Sequence, residues 1–292
     1  MSVRLSKGHG TGNDFVVVGD PDGTLDLSAA AVRALCDRHT GIGADGLLRV
    51  VRTVAVPDLV GLAGQAEWAM DYRNADGSIA EMCGNGVRVH ARWMHREGLV
   101  RAGRLQLATR GGVKVVDLPE SGDVTVGMGP ARLPDLAVAV DGHKATAVDM
   151  GNPHLVVPLT AEEFAALPVP LPPPVLSTAE HHPDGVNVEY VVVEGPGRMR
   201  LRVHERGVGE TMSCGTGAVA AAAAAVLWDG GATAVVGTLT VPEEAGTLAW
   251  EIAVPGGVVR VGLAGTATTL AGPAVVVADL TLDGAWQAAL AG

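Results

Sequence analysis

Two short stretches of this chain could do acid–base chemistry, and they have the same form. Met82-Cys83-Gly84-Asn85-Gly86 runs into Val87-Arg88-Val89-His90, and Ser213-Cys214-Gly215-Thr216-Gly217 runs into an alanine-rich segment that ends near Val226. Each is Cys-Gly-x-Gly followed by a helix-competent run. Glycines in such a turn leave backbone N–H groups free to point at an anion. The cysteine then sits at the positive end of a helix dipole, where a thiol gives up its proton more readily. One turn of this kind is a weak signal. Two in one chain suggest a duplicated half and a site that takes a thiol from each.

The chemistry that needs two thiols is inversion at a carbon acid next to a carboxylate. A base is required on one face and an acid on the other, and a thiolate and a thiol exchange those roles with direction. Charge pushed onto the carboxylate must be held, and backbone N–H groups of the glycine turns can do so. Other chemistries find little support. The lysines are Lys7, Lys114 and Lys144, none in a setting for a Schiff-base cofactor. Gly8-His9-Gly10-Thr11-Gly12 fails the dinucleotide pattern in spacing and context. No cofactor and no metal are expected.

These turns must be positioned by elements that the pattern partly reveals. Valine-rich, alternating segments separated by turn residues predict strands over 5–18 (broken by a glycine loop), 47–51, 67–72, several within 105–126, and then 186–193 and 199–204. Later strands are predicted over 237–241, 247–254, 258–263 and 274–277. Ser28 can cap a helix over 29–38 with Cys36 on its apolar face, where it reads as a buried small hydrophobe. Thr160 can cap a short helix to Leu167. Residues 217–227 are nearly all alanine, with no polar face, so that helix is expected to be buried all round. Both halves repeat sheet, Cys-Gly-x-Gly, helix, sheet. The fold class expected is α+β: two pseudo-symmetric lobes, each a curved, mainly antiparallel sheet wrapped around a central helix, with the active site in the cleft between them. The lobes are placed at 1–127 plus 266–292, carrying Cys83, and at 128–265, carrying Cys214.

The 292 residues suffice for two such lobes, and 48% of them are hydrophobic, enough for two cores. A net charge of −11 argues against nucleic acid or an anionic membrane as partner. The longest apolar run is too short to span a bilayer, and no secretory signal is visible. Three cysteines without Cys-x-x-Cys spacing fit neither a disulfide framework nor a zinc site, so a cytoplasmic, reducing location is expected.

Taken together, the motifs identify a resemblance. Gly10-Thr11-Gly12-Asn13-Asp14-Phe15, Gly41-Ile42-Gly43, Asn74-Ala75-Asp76-Gly77-Ser78, the first Cys turn, Gly151-Asn152-Pro153-His154, Glu205-Arg206-Gly207 and the second Cys turn resemble, in order and over nearly the whole chain, the diaminopimelate epimerase family. The resemblance implies cofactor-free conversion of LL-2,6-diaminopimelate to the meso form, on the route to lysine and peptidoglycan. It implies Cys83 and Cys214 as the catalytic thiols, with His154 and Glu205 assisting. Asn13, Asn74, Asn152, Asn187 and Arg206 would hold substrate, and Gly84, Asn85, Gly215 and Thr216 would contact the reacting carboxylate. It also implies a homodimer. The sequence departs from the family at Gly46, where many relatives carry a glutamine, at His204, where tyrosine is common, and at Val219, where cysteine is frequent.

Blander readings stand beside these. Asn152 could merely turn the chain before Pro153, and Glu205-Arg206 could be a solvated pair. The same thiols could racemise another amino acid or hydroxyproline, or could form a regulatory disulfide in a sensor that is not an enzyme.

Overall fold

The computed structural model describes residues 4–284 and Trp286. Along the chain run β1 (Arg4–Gly10), β2 (Asn13–Gly19), α1 (Ala29–Cys36), β3 (Gly46–Arg52), β4 (Trp68–Asn74), α2 (Gly84–Arg96), β5 (Gly103–Thr109), β6 (Gly112–Leu118) and β7 (Val124–Gly129). Then come β8 (Val138–Val140), β9 (His143–Asp149), β10 (Pro153–Pro158), α3 (Ala161–Ala165), β11 (Asn187–Gly195), β12 (Arg198–Glu205), β13 (Gly209–Thr211) and α4 (Gly215–Trp228). The chain finishes with β14 (Thr233–Val235), β15 (Thr238–Thr240), β16 (Leu248–Val254), β17 (Gly257–Ala264), β18 (Ala267–Gly272) and β19 (Val275–Leu280). It divides into two units, one up to Val126 and from Pro273 on, the other Gly127–Gly272.

In the first unit β19, β1, β2, β3, β4, β5, β6 and β7 pair in that order, with β2–β3 and β4–β5 parallel and the other junctions antiparallel. In the second, β8, β9, β10, β11, β12, β16, β17 and β18 pair in order, and the parallel junctions, β10–β11 and β12–β16, fall at the same two places. The duplication suggested by the two cysteine turns is therefore written in the hydrogen-bond ladder. It also corrects the expected boundary. A boundary at Thr266 would put β18 with the first lobe, but β18 pairs with β17 as β7 pairs with β6, and the return to the first unit begins at Pro273. Positions 1–3, 285 and 287–292 of the expected first lobe lie outside the described residues.

Each unit folds its sheet around one helix. α2 packs against β1, β2, β3, β4, β6 and β19, and α4 against β9, β10, β11, β12, β17 and β18. Ala218 to Val226 are all buried, as a helix with no polar face requires. α2 keeps a polar rim in Arg92, His95 and Arg96 but buries Gly84 to Ala91. The expected glycine loop over Lys7–Phe15 proves to be mostly strand. β1 and β2 meet across Thr11-Gly12, whose φ values of 51° and 80° make the two-residue turn that suits strand twist. Gly8 is needed because a Cβ there would lie 2.9 Å from both Val275 O and Val89 Cγ1. Ser28 caps α1 through the Ala31 N–H, and Thr160 with Glu163 forms a capping box at α3. No helix of the described residues is long and apolar enough to cross a membrane.

Candidate active site

Each cysteine caps its helix in the same way. Cys83 Sγ accepts the Gly86 N–H at 3.4 Å, and Cys214 Sγ accepts the Gly217 N–H at 3.4 Å. Both cysteines hold extended backbone, which turns the chain so that the sulfur faces the first helical N–H groups. Cys36 is buried inside the first unit, and burial pushes its thiol up to about 11, as befits an inert core residue. Among the described residues no group of His, Cys, Asp or Glu could hold a metal ion.

In the first unit, the Cys83 thiol donates to Asn13 Oδ1 at 3.4 Å, and Asn85 Nδ2 donates to the same oxygen at 3.3 Å. Asp45 fixes which way the Asn13 amide points, since its carboxylate takes the Asn13 Nδ2 proton at 2.8 Å. Asp45 is held in turn by Arg38, which also bonds Asp14. Burial alone would raise the Asp14 carboxyl, but Arg38 and Lys7 outweigh it and hold it well below the usual carboxylate range. Asn74 ends β4 and donates to Ser78 Oγ at 3.0 Å. Gly84 and Asn85 are buried at the start of α2.

Arg88 was not foreseen as a site residue. Its side chain is fully buried, donates to Thr11 Oγ1 at 3.2 Å and to Pro273 O at 3.4 Å, and leaves Nη1 without a hydrogen bond among the described residues. Burial lowers it to about 10, against the opposing pull of Cys83, so it remains a cation at neutral pH. An arginine on the buried face of a helix, five residues after Cys83, was the available signal.

In the second unit, Asn152 Nδ2 lies 3.4 Å from Thr216 Oγ1, and Thr216 Oγ1 lies 3.5 Å from Cys214 Sγ. His154 is buried. Its Nε2 meets Asn152 Oδ1 at 3.0 Å and its Nδ1 meets Glu189 Oε1 at 2.7 Å. Asn187 is also buried. Its Nδ2 donates to Pro153 O and its Oδ1 accepts the Arg206 N–H, both at 3.0 Å. Glu205 accepts a short hydrogen bond from Thr211 Oγ1. The Arg206 guanidinium is exposed and makes no hydrogen bond within the described residues. It shares a cavity of about 580 Å³ with Asn152, His154 and Gly185. Glu189, the other residue that sequence reasoning missed, stands as an acid within the apolar run Val188–Val193.

The expected lowering of the thiol by the helix dipole fails at Cys214. Burial pushes this thiol well above its ordinary value, and the charges of Glu205 and Glu189 push it further. The Thr216 hydroxyl and the Gly217 N–H pull the other way and lose. Gly46 departs from the family for a steric reason. A Cβ there would lie 2.5 Å from Arg73 O and 2.7 Å from Tyr72 Cε2, so the ring of Tyr72 takes the space a side chain at 46 would enter.

The two matching runs of eight paired strands and their capped helices define a class with known members. Solved structures of this fold include a phenazine biosynthesis protein of the PhzF family from Bacillus anthracis (TM-score 0.70, 14% identity, 97% of this chain and 99% of that one). A second is a hydroxyproline epimerase from Agrobacterium vitis (TM-score 0.64, 15% identity, 97% and 94%). At such identities they establish the fold alone.

The sequence settles the family: the chain belongs to the diaminopimelate epimerases, whose family profile matches residues 5–134 and 146–268. It is 51% identical to the diaminopimelate epimerase of Streptomyces coelicolor over 98% of each chain, and 49% identical to that of Thermobifida fusca over 95% of this chain and 97% of its relative. It is therefore an isomerase.

Proposed function

We propose that this enzyme converts LL-2,6-diaminopimelate to the meso form, with Cys83 and Cys214 as the acid–base pair and no cofactor. Family membership over nearly the full length supports the substrate. The observation that carries the mechanism is the repeated cap: two thiols, each at the start of a buried helix, each accepting an N–H from the glycine three residues on. One sulfur takes the α-hydrogen as the other delivers a proton to the opposite face. The electron pair left on carbon spreads into the adjacent carboxylate, where N–H groups of the two helix starts, at Gly84-Asn85 and Gly215-Thr216, stabilise it by about 3 kcal/mol each in the transition state.

Cys83 is the sulfur better suited to act as thiolate, because the buried cation of Arg88 interacts with it. Cys214 is better suited to hold its proton. His154 and Glu205 assist at the Cys214 end. Asn13, Asn74, Asn152 and Asn187 orient the substrate, and Arg206, a free guanidinium beside a cavity, takes the distal carboxylate in a two-bond fork. The working assembly is a homodimer in the cytoplasm.

The test is incubation of the reduced protein with LL-diaminopimelate in deuterated water, followed by chiral separation. Meso product carrying solvent deuterium at one α-carbon is expected. Equal or better turnover of a monocarboxylic amino acid would reassign the substrate, and retention of the original hydrogen would remove the two-base mechanism. Light scattering checks the dimer.

A further inference from the structure

The duplicated ladder allows residues to be compared position by position. In the first unit Phe15 pairs with Gly46 and Leu47 with Arg73; in the second His154 pairs with Asn187 and Val188 with His204. His154 thus stands where Phe15 stands, and Glu189 where Leu48 stands. The cap glycines agree. A Cβ at Gly86 would meet Leu48 Cδ2 at 3.1 Å and Phe15 Cζ at 3.6 Å, whereas a Cβ at Gly217 would meet Glu189 Oε1 at 2.5 Å. Behind Cys83 the fold is closed by two apolar side chains. Behind Cys214 it is closed by a histidine and a glutamate whose side chains are wholly buried.

The fold does not need charge at this place, since the first unit does without it. A buried acid–base pair is at best a weak source of stability compared with apolar packing. Here it is also incompletely satisfied, because Glu189 Oε2 has no hydrogen-bond partner among the described residues. Its connections lead to the reacting sulfur. Glu189 Oε1 holds His154 Nδ1, His154 Nε2 holds Asn152 Oδ1, Asn152 Nδ2 reaches Thr216 Oγ1, and Thr216 Oγ1 touches Cys214 Sγ. Asn152 turns its oxygen to the ring, so each ring nitrogen of His154 has an oxygen partner.

We propose that Glu189 is a positioning residue for the inversion: through His154 and Asn152 it sets the Thr216 hydroxyl against Cys214, and it places a carboxylate behind that sulfur which reserves it as the proton donor. The inference rests on Cys214 being one of the two reacting thiols. The charged groups around Cys214 come from three strands packed on α4: Glu189 from β11, His154 from β10 and Glu205 from β12. α4 itself carries no charged residue; β9 carries charge only at His143, Lys144 and Asp149, near its ends, β17 only at the exposed Arg260, and β18 none.

The experiment follows alkylation of each cysteine by iodoacetamide against pH, read by peptide mass spectrometry, beside steady-state kinetics. In Glu189→Gln the midpoint for Cys214 is expected to fall by about one pH unit while Cys83 is unmoved. kcat is expected to drop about tenfold or more with KM within about twofold, the pattern of a lost transition-state interaction. Glu189→Asp should restore the midpoint and part of kcat. Should Glu189→Gln fail to fold, the double variant His154→Phe with Glu189→Leu transplants the first unit's pair, and the same fall in the Cys214 midpoint is expected of it. A folded variant with the wild-type midpoint and kcat would overturn the proposal. Wild-type activity that survives full alkylation of Cys214 would instead remove the two-thiol reading beneath it.

Discussion

The two cysteine turns share backbone, cap and ladder register, yet their surroundings have opposite electrical character. Five residues beyond Cys83 is Arg88, a buried cation; five beyond Cys214 is Val219, buried and neutral. Beneath Cys83 lie Phe15 and Leu48; beneath Cys214 lie His154 and Glu189. Asn13 and Asn85 share a hydrogen bond beside the first sulfur, and Asn152 and Thr216 share one beside the second. On the proposed mechanism, identical sulfurs in a duplicated fold would become a base and an acid through a handful of buried neighbours, while the cap geometry is left alone.

The comparison is tested most severely by removing either sulfur. Cys83→Ala and Cys214→Ala are each expected to cut kcat by about 10²–10⁴, since each deletes one proton-transfer partner. Comparable activity after either loss would end the two-base reading. A smaller effect is expected of Arg88→Met, which keeps the bulk and removes the charge. The Cys83 alkylation midpoint should rise by about one pH unit and kcat/KM at neutral pH fall about tenfold, with Cys214 unmoved. A rise at Cys214 instead would show the polarity assigned to the two ends to be reversed.

The cap glycines sharpen the contrast in stability rather than rate. Gly217→Ala drives a methyl to 2.5 Å from a buried carboxylate oxygen, and about 1–3 kcal/mol of destabilisation is expected in chemical denaturation. Gly86→Ala comes nearest to Leu48 Cδ2, at 3.1 Å, and should cost less. An equal cost would mean that Glu189 yields easily and is not held. The gentlest test is acid. Asp14, Asp20 and Asp71, all in the first unit, are held below the usual carboxylate range because Arg38, Arg49, Arg73 and Arg110 outweigh the effect of burial. Their folded values lie below their unfolded ones, so their contribution is complete above ~pH 5 and is lost as pH falls through the folded values. The second unit holds fewer such carboxylates, Glu210 beside Arg202 among them, so hydrogen exchange at pH 3.5 against pH 6 should show the first unit losing more protection than the second.

Much of this was legible in the order of residues. The repeated Cys-Gly-x-Gly announced the duplication, and alternation placed most strands within a residue or two. Ser28 and Thr160 capped helices as their types suggest. What was hidden had physical causes. Lys7–Phe15 looked like a glycine loop because Gly8 and Gly10 are there for close packing against α2 and β19, not for a turn. β18 was misassigned because strand identity depends on its ladder partner, which lies in another strand's sequence. Glu189 and Arg88 escaped notice because a charged residue in an apolar run has no direction until the neighbouring strand or helix is in place.

The alanine core of α4 has a further consequence. Methyl groups have no rotamers to lose, so the buried alanine stretch of the helix carrying Cys214 adds almost no side-chain entropy for substrate to quench. The Gly217 N–H holds that sulfur at 3.4 Å in the folded chain. Its share of the activation entropy should accordingly be near zero, and the temperature dependence of turnover should reflect proton transfer and the handling of substrate rather than settling of the scaffold.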